Sequence, residues 1–215
     1  MKTILLKDAA ALIPDGASVM IGGFMGVGTP ERLVDELVRQ GRRNLTVIAN
    51  DNALPGVGIG KLISAGAVKK TIASHIGLNP ETQKKMLAGE LEVDLVPQGT
   101  LIERIRAGGF GLGGVLTPTG VGTVVEKGKQ RIEVEGKAYL LETALRADFA
   151  LVQAFLADYI GNLYYALTAR NFNPAIAMAA DTVIVEADNI VPVGVLAPDH
   201  VVTPAPVVDY IISHA

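Results

Sequence analysis

The feature that most limits the fold of this 215-residue chain is a regular alternation of short apolar strands with helices. Runs rich in Val, Ile and Leu predict strands at Ser18 to Ile21, Leu45 to Ala49, Val68 to Ser74 and Leu91 to Val96. Between them, apolar periodicity and turn residues predict helices at Pro30 to Gln40, Gly60 to Ala65 and Pro80 to Ala88. The sequence therefore predicts an α/β fold, with a mainly parallel open sheet and helices on both faces.

The second half of the chain adds a small antiparallel excursion to this plan. Arg131 to Val134 and Lys137 to Leu141 read as a hairpin, and Phe149 to Leu156 and Thr182 to Glu186 read as further buried strands. The glycine-rich stretch from Gly108 to Gly122 is predicted to be an ordered loop over a site. No internal repeat or linker divides the sequence, so we expect one domain over residues 1–215.

Composition excludes several classes of function. The net charge is -3 and the Lys and Arg residues are scattered, which argues against nucleic-acid and membrane partners. The absence of cysteine rules out disulfides, thiolate metal sites and a cysteine nucleophile, and it fits a reducing compartment, so we expect the cytoplasm. No targeting segment or membrane span is apparent, and the three histidines lack metal-binding spacing, so no metal is expected.

The stretch from Asp15 to Pro30 reads as strand, glycine loop and helix start. Thr29 is the predicted N-cap of the following helix, with Pro30 as its first residue. Free backbone N–H groups would then gather at the carboxyl end of a strand, where open α/β sheets bind ligands. A tight structural connection without a ligand is the alternative interpretation, because glycine-rich turns of this kind also occur as plain turns.

Two polar side chains are predicted to lie at the same edge of the sheet. Asn50 follows the second strand, and Gln98 follows the strand that ends at Val96. Gly99 or Thr100 is the predicted cap of a helix from Leu101 to Ala107. Gln98 either bridges loops or donates its amide to an oxygen of a ligand, and the local sequence leaves both options open.

Two motifs carry a resemblance to a known family. The first is Asp-Gly, two residues, three apolar residues, Gly-Gly-Phe, three residues, Gly, one residue and Pro, within Asp15 to Pro30. The second runs from Pro97 to Gly109 and continues with Thr117-Pro118-Thr119-Gly120. Both are similar to the α subunit of class I coenzyme A (CoA) transferases, and the resemblance covers nearly the whole chain.

The resemblance implies a reaction and a set of site residues. CoA would move in a ping-pong reaction between an acyl-CoA, such as acetyl-CoA or acetoacetyl-CoA, and a short-chain carboxylate such as acetate, butyrate or acetoacetate. No cofactor is implied, since the CoA thioester is a substrate. Gln98 would donate to the oxyanion of the reacting carboxyl group, and Asn50 is a weaker candidate at the same edge. The residues that would lie against CoA are Gly22, Gly23, Phe24, Met25, Gly26, Val27 and Gly28.

The nucleophile of the family is missing from this sequence. Class I transferases use a glutamate in a Glu-Asn-Gly motif of the β subunit, and no Glu-Asn-Gly occurs here. The resemblance therefore implies a β subunit that carries the catalytic glutamate, in an α2β2 assembly. The alternatives are a non-catalytic, CoA-responsive binding module and a sugar-phosphate isomerase or deaminase of related architecture.

Overall fold

In a computed structural model, residues 2–213 form two β-sheets and the helices that cover the larger sheet. The strands are β1 (Lys2–Ile4), β2 (Ser18–Ile21), β3 (Leu45–Asp51), β4 (Val68–His75), β5 (Glu92–Leu95), β6 (Gly114–Thr117), β7 (Arg131–Val134), β8 (Lys137–Thr143), β9 (Ala147–Asp158), β10 (Leu163–Tyr164), β11 (Ala180–Val191) and β12 (Tyr210–Ile212). The helices are α1 (Leu6–Ala11), α2 (Glu31–Arg39), α3 (Ile59–Ser64), α4 (Pro80–Leu87), α5 (Gln98–Gly109) and α6 (Asn173–Met178).

The main sheet has nine strands, and eight of them follow the order β1-β12-β11-β9-β2-β3-β4-β5. Every neighbouring pair along this path is parallel, whereas β10 pairs with β9 in the antiparallel sense. β6, β8 and β7 form a separate antiparallel sheet of three strands, which contains the predicted hairpin. The predicted fold, a mainly parallel sheet with a small antiparallel excursion, is confirmed.

Apolar cores lie on both faces of the main sheet. Successive side chains of a strand point to opposite faces, and in β3 Val47 belongs to one core while its neighbour Ile48 belongs to the other. The Val47 core contains residues of α1, α2 and α3, and the Ile48 core contains residues of α5 and α6. Within the described part of the chain, no helix combines the length and apolar character that crossing a membrane requires.

The prediction of an irregular loop from Gly108 to Gly122 is wrong at its start and in its middle. α5 continues through Gly109, and β6 occupies Gly114–Thr117. The glycines at the end of α5 allow close packing of the helix, because a Cβ atom on Gly108 would lie 2.0 Å from the Leu145 carbonyl oxygen and one on Gly109 would lie 2.6 Å from Met178 Cβ. The glycines of this stretch therefore serve helix packing. The sequence pattern alone does not distinguish glycines that pack a helix from glycines in a loop.

A pair of leucines tests how much the buried helix faces contribute to stability. Leu37 in α2 is fully buried, and Leu87 in α4 is 83% exposed. We expect Leu37→Ala to lower the free energy of unfolding by about 2–5 kcal/mol, since it leaves a cavity in the core. Leu87→Ala should change it by no more than about 0.5 kcal/mol. Urea unfolding of both variants checks this, and equal losses would contradict the packing described here.

Candidate functional site

The carboxyl ends of four adjacent parallel strands, β2, β3, β4 and β5, lie along one edge of the main sheet. We call this edge the rim. The loop Gly22–Gly28, here called the glycine loop, follows β2, whereas Gln98 follows β5. Three strand spacings of about 4.8 Å separate β2 from β5, so the two features lie roughly 14 Å apart on the same edge. Asn50 and Asp51, at the end of β3, lie between them.

The glycine loop is a tight turn with an anchored tip. Phe24 and Val27 exchange two backbone hydrogen bonds of 3.0 and 2.9 Å, and Met25 and Gly26 between them have φ values of 52° and 88°. The Met25 N–H donates to both carboxylate oxygens of Asp51, at N···O distances of 3.0 and 3.2 Å. The side chains of Phe24, Met25 and Val27 are exposed at the tip. Asp51 thus positions an apolar tip that is open to a ligand or a partner.

Close protein contacts account for the glycines of this loop. A Cβ atom on Gly22 would lie 1.9 Å from the side-chain oxygen of Asn173, and one on Gly26 would lie 2.5 Å from Val57 Cγ1. A branched substitution at Gly26 would therefore damage the loop itself, whether or not CoA lies against it. The predicted contact between residues 22–28 and CoA stays a prediction, and Phe24, Met25 and Val27 are the side chains with which to test it.

The start of α2 differs from the prediction. Thr29 is not a side-chain cap: its hydroxyl donates to the Gly22 carbonyl at 2.9 Å, and Pro30 takes the cap position without a side-chain bond. Glu186 of β11 accepts hydrogen bonds from the Arg32 and Leu33 N–H groups at 3.2 and 2.9 Å. The amides that were expected to be free are thus already bound to a carboxylate, so an anionic ligand does not find an open helix end here.

Glu186 was missed by sequence reasoning because it lies more than 150 residues away in the chain from the helix that it caps. Burial raises the pKa of Glu186 above its ordinary value, while the two backbone N–H groups oppose that rise. No local motif marks this glutamate, and only the pairing of β11 within the sheet brings it to α2.

Asn50, near the end of β3, is buried. Its side-chain oxygen accepts a hydrogen bond of 2.9 Å from the Ser74 hydroxyl, and its amide nitrogen donates to the Asn171 side-chain oxygen at 3.3 Å. The amide of Asn50 is therefore engaged with protein groups, and its predicted contact with a ligand stays a prediction. Among residues 2–213, no group of three or more His, Asp or Glu side chains is arranged to hold a metal ion.

The start of α5 is an open helix end. Gln98 is the first residue of this 12-residue helix, and Pro97 takes the cap position without any side-chain bond, so the predicted cap at Gly99 or Thr100 is wrong. Gln98 is exposed, and its side chain and backbone N–H make no hydrogen bond with residues 2–213. An uncapped helix N-terminus beside a primary amide is suited to bind an oxyanion, since both present N–H donors and the helix dipole adds partial positive charge.

Almost the whole sequence matches a known protein family. The family model described as "Coenzyme A transferase" matches residues 3–214. The chain belongs to the coenzyme A transferase family. The family that the two sequence motifs predicted is thereby confirmed.

Relatives of this CoA transferase chain match it from end to end. The acetate CoA-transferase subunit alpha of Escherichia coli (strain K12) is 60% identical over 211 residues, which cover 98% of this chain and 96% of the relative. The acetoacetyl-CoA:acetate/butyrate CoA transferase alpha subunit of Clostridium acetobutylicum is 53% identical over 212 residues, which cover 99% and 97%. An acyl-CoA transferase of E. coli O157:H7, solved as a thioester complex with CoA, shares the fold with a TM-score of 0.87 at 23% identity, over 98% of this chain and 46% of that longer chain.

The buried carboxyl group of Asp51 gives a pH-dependent prediction. Burial raises the pKa of Asp51 above its ordinary value, and the N–H groups of Met25 and Ala53 and the charge of His75 only partly oppose this. Ionisation of Asp51 therefore costs folded-state stability as the pH rises from the unfolded pKa of about 4 through the raised folded pKa. Asp51→Asn keeps an oxygen acceptor for Met25 without the charge.

We expect Asp51→Asn to be more stable than the wild type at pH 7, with a gain that shrinks towards zero as the pH falls to about 4. Thermal unfolding of both proteins across this pH range measures the difference. Asp51→Ala, which also loses the acceptor, is the control that separates charge from hydrogen bonding. If Asp51→Asn is less stable than the wild type at pH 7 but not at pH 4, the charge of Asp51 stabilises the fold and the prediction is wrong.

Proposed function

We propose that this chain is the α subunit of an acetate or butyrate–acetoacetate type CoA-transferase and supplies half of an active site. The observation that carries the proposal is the end-to-end similarity to the two alpha subunits described above, at 60% and 53% identity. The geometry at the start of α5 also supports the proposal, because an uncapped helix N-terminus and the unbonded side-chain amide of Gln98 can bind an oxyanion. The donor is an acyl-CoA of the acetyl-CoA or acetoacetyl-CoA type, and the acceptor is a short-chain carboxylate such as acetate, butyrate or acetoacetate.

The chemistry begins with a glutamate of a β subunit. Its carboxylate attacks the thioester carbonyl, the carbon–sulfur bond breaks, and an acyl-glutamyl anhydride and the CoA thiolate form. The thiolate then attacks the glutamyl carbonyl of the anhydride, which releases the first carboxylate and leaves a glutamyl-CoA thioester. The acceptor carboxylate then attacks the glutamyl-CoA thioester, which releases the CoA thiolate and forms a new anhydride. The thiolate attacks the acyl carbonyl of this anhydride, so the new acyl-CoA leaves and the free glutamate is restored. The enzyme thus alternates between the free glutamate and the glutamyl-CoA thioester.

Gln98 stabilises the charge that develops in these steps. Each attack on a carbonyl places negative charge on an oxygen, and the side-chain amide of Gln98 donates to that oxygen. The N-terminus of α5 adds the partial positive charge of its uncapped amides. Because the backbone amides are fixed by the helix before the substrate arrives, they need no reorganisation when the charge forms.

The glycine loop contacts the CoA portion of the substrate. The exposed side chains of Phe24, Met25 and Val27 offer apolar surface, and Asp51 fixes the tip through Met25 N–H. Binding energy from this non-reacting part of CoA can be used at the thioester end. The partner must also cover the rim, since both covalent intermediates are hydrolysed if water reaches them. We propose an α2β2 assembly in the cytoplasm.

Turnover by the isolated chain tests the division of labour. We expect the pure chain to have no CoA-transferase turnover and the complex with its β subunit to be active, because the nucleophile belongs to the partner. With acyl-CoA and no acceptor, the glutamyl-CoA thioester should accumulate on the partner, where borohydride reduction and mass spectrometry locate it. Turnover by the pure chain, or a modified glutamate within it, would overturn the proposal; an inactive complex that still binds CoA would favour the non-catalytic module.

Gln98 gives the sharpest test of a residue in this chain. Gln98→Ala in the assembled enzyme should lower kcat by about 10²–10³, roughly 2.7–4 kcal/mol, because the donor acts in the transition state. Gln98→Glu should be worse, since it places a carboxylate beside the nucleophile. Gln130→Ala is the matched control, because Gln130 is exposed and its side chain makes no described hydrogen bond within residues 2–213. A kcat for Gln98→Ala within about threefold of the wild type, under 1 kcal/mol, would remove Gln98 from the reaction.

A further inference from the structure

A cavity of about 720 Å³ lies beyond β5, between this strand, α5 and the three-stranded sheet. Leu95 at the end of β5, Arg104 of α5 and Leu141 of β8 line it, together with residues 124, 125 and 127–130. Neither Gln98 nor the glycine loop belongs to its lining. The volume lies within the range of about 300–1,000 Å³ that is usual for small-molecule sites. The cavity is therefore a concave site whose lining excludes the residues that the proposed reaction uses.

A buried ion pair fixes one wall of this cavity. Glu142 of β8 is 2% exposed, and its Oε1 accepts a hydrogen bond of 2.5 Å from Lys129 Nζ. Arg104 Nε lies 4.0 Å from Glu142 Oε2 and donates to the Thr143 carbonyl oxygen at 2.7 Å. These contacts neutralise the glutamate and hold the guanidinium of Arg104 in place against β8.

Positive charge remains available after these contacts. The two terminal Nη atoms of Arg104 make no hydrogen bond with residues 2–213, although 86% of the side chain is buried, as its exposed fraction of 14% implies. Lys127 also lines the cavity and forms no ion pair with the described residues. Apart from Glu142, which Lys129 neutralises, the acidic residue in the lining is Asp94, and its side chain is exposed. The cavity thus presents a fixed fork of N–H donors and one adjustable ammonium group.

Apolar side chains form the rest of the wall. Leu95, Val124, Val125 and Leu141 line the cavity, and Val124 is 91% exposed. A ligand of this cavity would therefore combine an oxyanion with an apolar or flat body. A planar guanidinium binds two oxygens of one phosphate group at once. A phosphate monoester carries up to two negative charges and a carboxylate carries one, so a site with two cations matches the phosphate better.

We propose that this cavity binds a small organic phosphate, with the phosphate group on Arg104 and Lys127 and the apolar body against Leu95, Val125 and Leu141. The site goes beyond the CoA-transfer reaction. It gives the chain a second small-molecule ligand, bound on the outer side of β5.

Phenyl phosphate and benzoate are matched probes, since they share a ring and differ in the anionic group. We expect calorimetric titration of the assembled enzyme to show binding of phenyl phosphate, with inorganic phosphate weaker and benzoate weakest. Lys127→Gln should weaken phenyl phosphate binding about tenfold or more, because it removes a charged hydrogen-bond donor without disturbing a described contact. Arg104→Lys keeps the charge and loses the fork, so it should weaken binding by a similar factor.

Lys69→Gln is the control, since Lys69 is exposed on β4 and does not line the cavity. It should leave the affinity for phenyl phosphate unchanged, and both Lys→Gln variants should keep the unfolding temperature of the wild type within a few degrees. The proposal is overturned if phenyl phosphate does not bind, if it binds equally well to the Lys127→Gln and Lys69→Gln proteins, or if benzoate binds more tightly than phenyl phosphate. CoA-transfer activity is a separate readout, so failure of the cavity site leaves the proposed reaction untouched.

Discussion

Parallel pairing of neighbouring strands is the constraint on which the rest of the molecule depends. Because β2, β3, β4 and β5 run in one direction, each returns through a helix, and every strand delivers its following residues to the same edge. The register pairs Asp51 with His75 and sets Asp51 where it can reach the glycine loop. The same direction requires both faces of the sheet to be covered, which explains the two apolar cores.

Two helix ends point towards the rim, and their chemistry differs. At α2 the carboxylate of Glu186 accepts hydrogen bonds from the Arg32 and Leu33 N–H groups. The positive end of this helix therefore stabilises the contact between α2 and β11. At α5 the cap position belongs to Pro97, whose side chain offers no acceptor, so the first amides stay free beside Gln98. The helix that follows the glycine loop thus has its N-terminus bound by a protein carboxylate. The helix that begins at the Pro97-Gln98 segment has an N-terminus that is free to bind a ligand.

The fold was predictable from the sequence to a large extent, and the site only in part. Ser18–Ile21 and the hairpin strand Arg131–Val134 form as predicted, because β-branched runs and turn residues are local signals. The cap of α2 was mispredicted because Glu186 competes with Thr29 from a different strand. Helix α5 continues past its predicted end at Ala107, where Gly108 packs against Leu145, a contact that no local pattern reveals. Gln98 was singled out through its motif and its role stays a prediction, whereas the role of Asp51 in holding Met25 required the register of the sheet.

Close packing at the two glycines that end α5 also positions the residue at its beginning, Gln98. Gly108 and Gly109 let the helix pack closely against the Leu145 carbonyl and Met178, where a Cβ atom would lie 2.0 and 2.6 Å from its nearest neighbour. Ten residues at about 1.5 Å each separate Gly108 from Gln98, a lever of roughly 15 Å. A small tilt at the packed end is carried along the rigid helix to the free end. The position of Gln98 at the rim is thus tied to the packing at the opposite end of the helix.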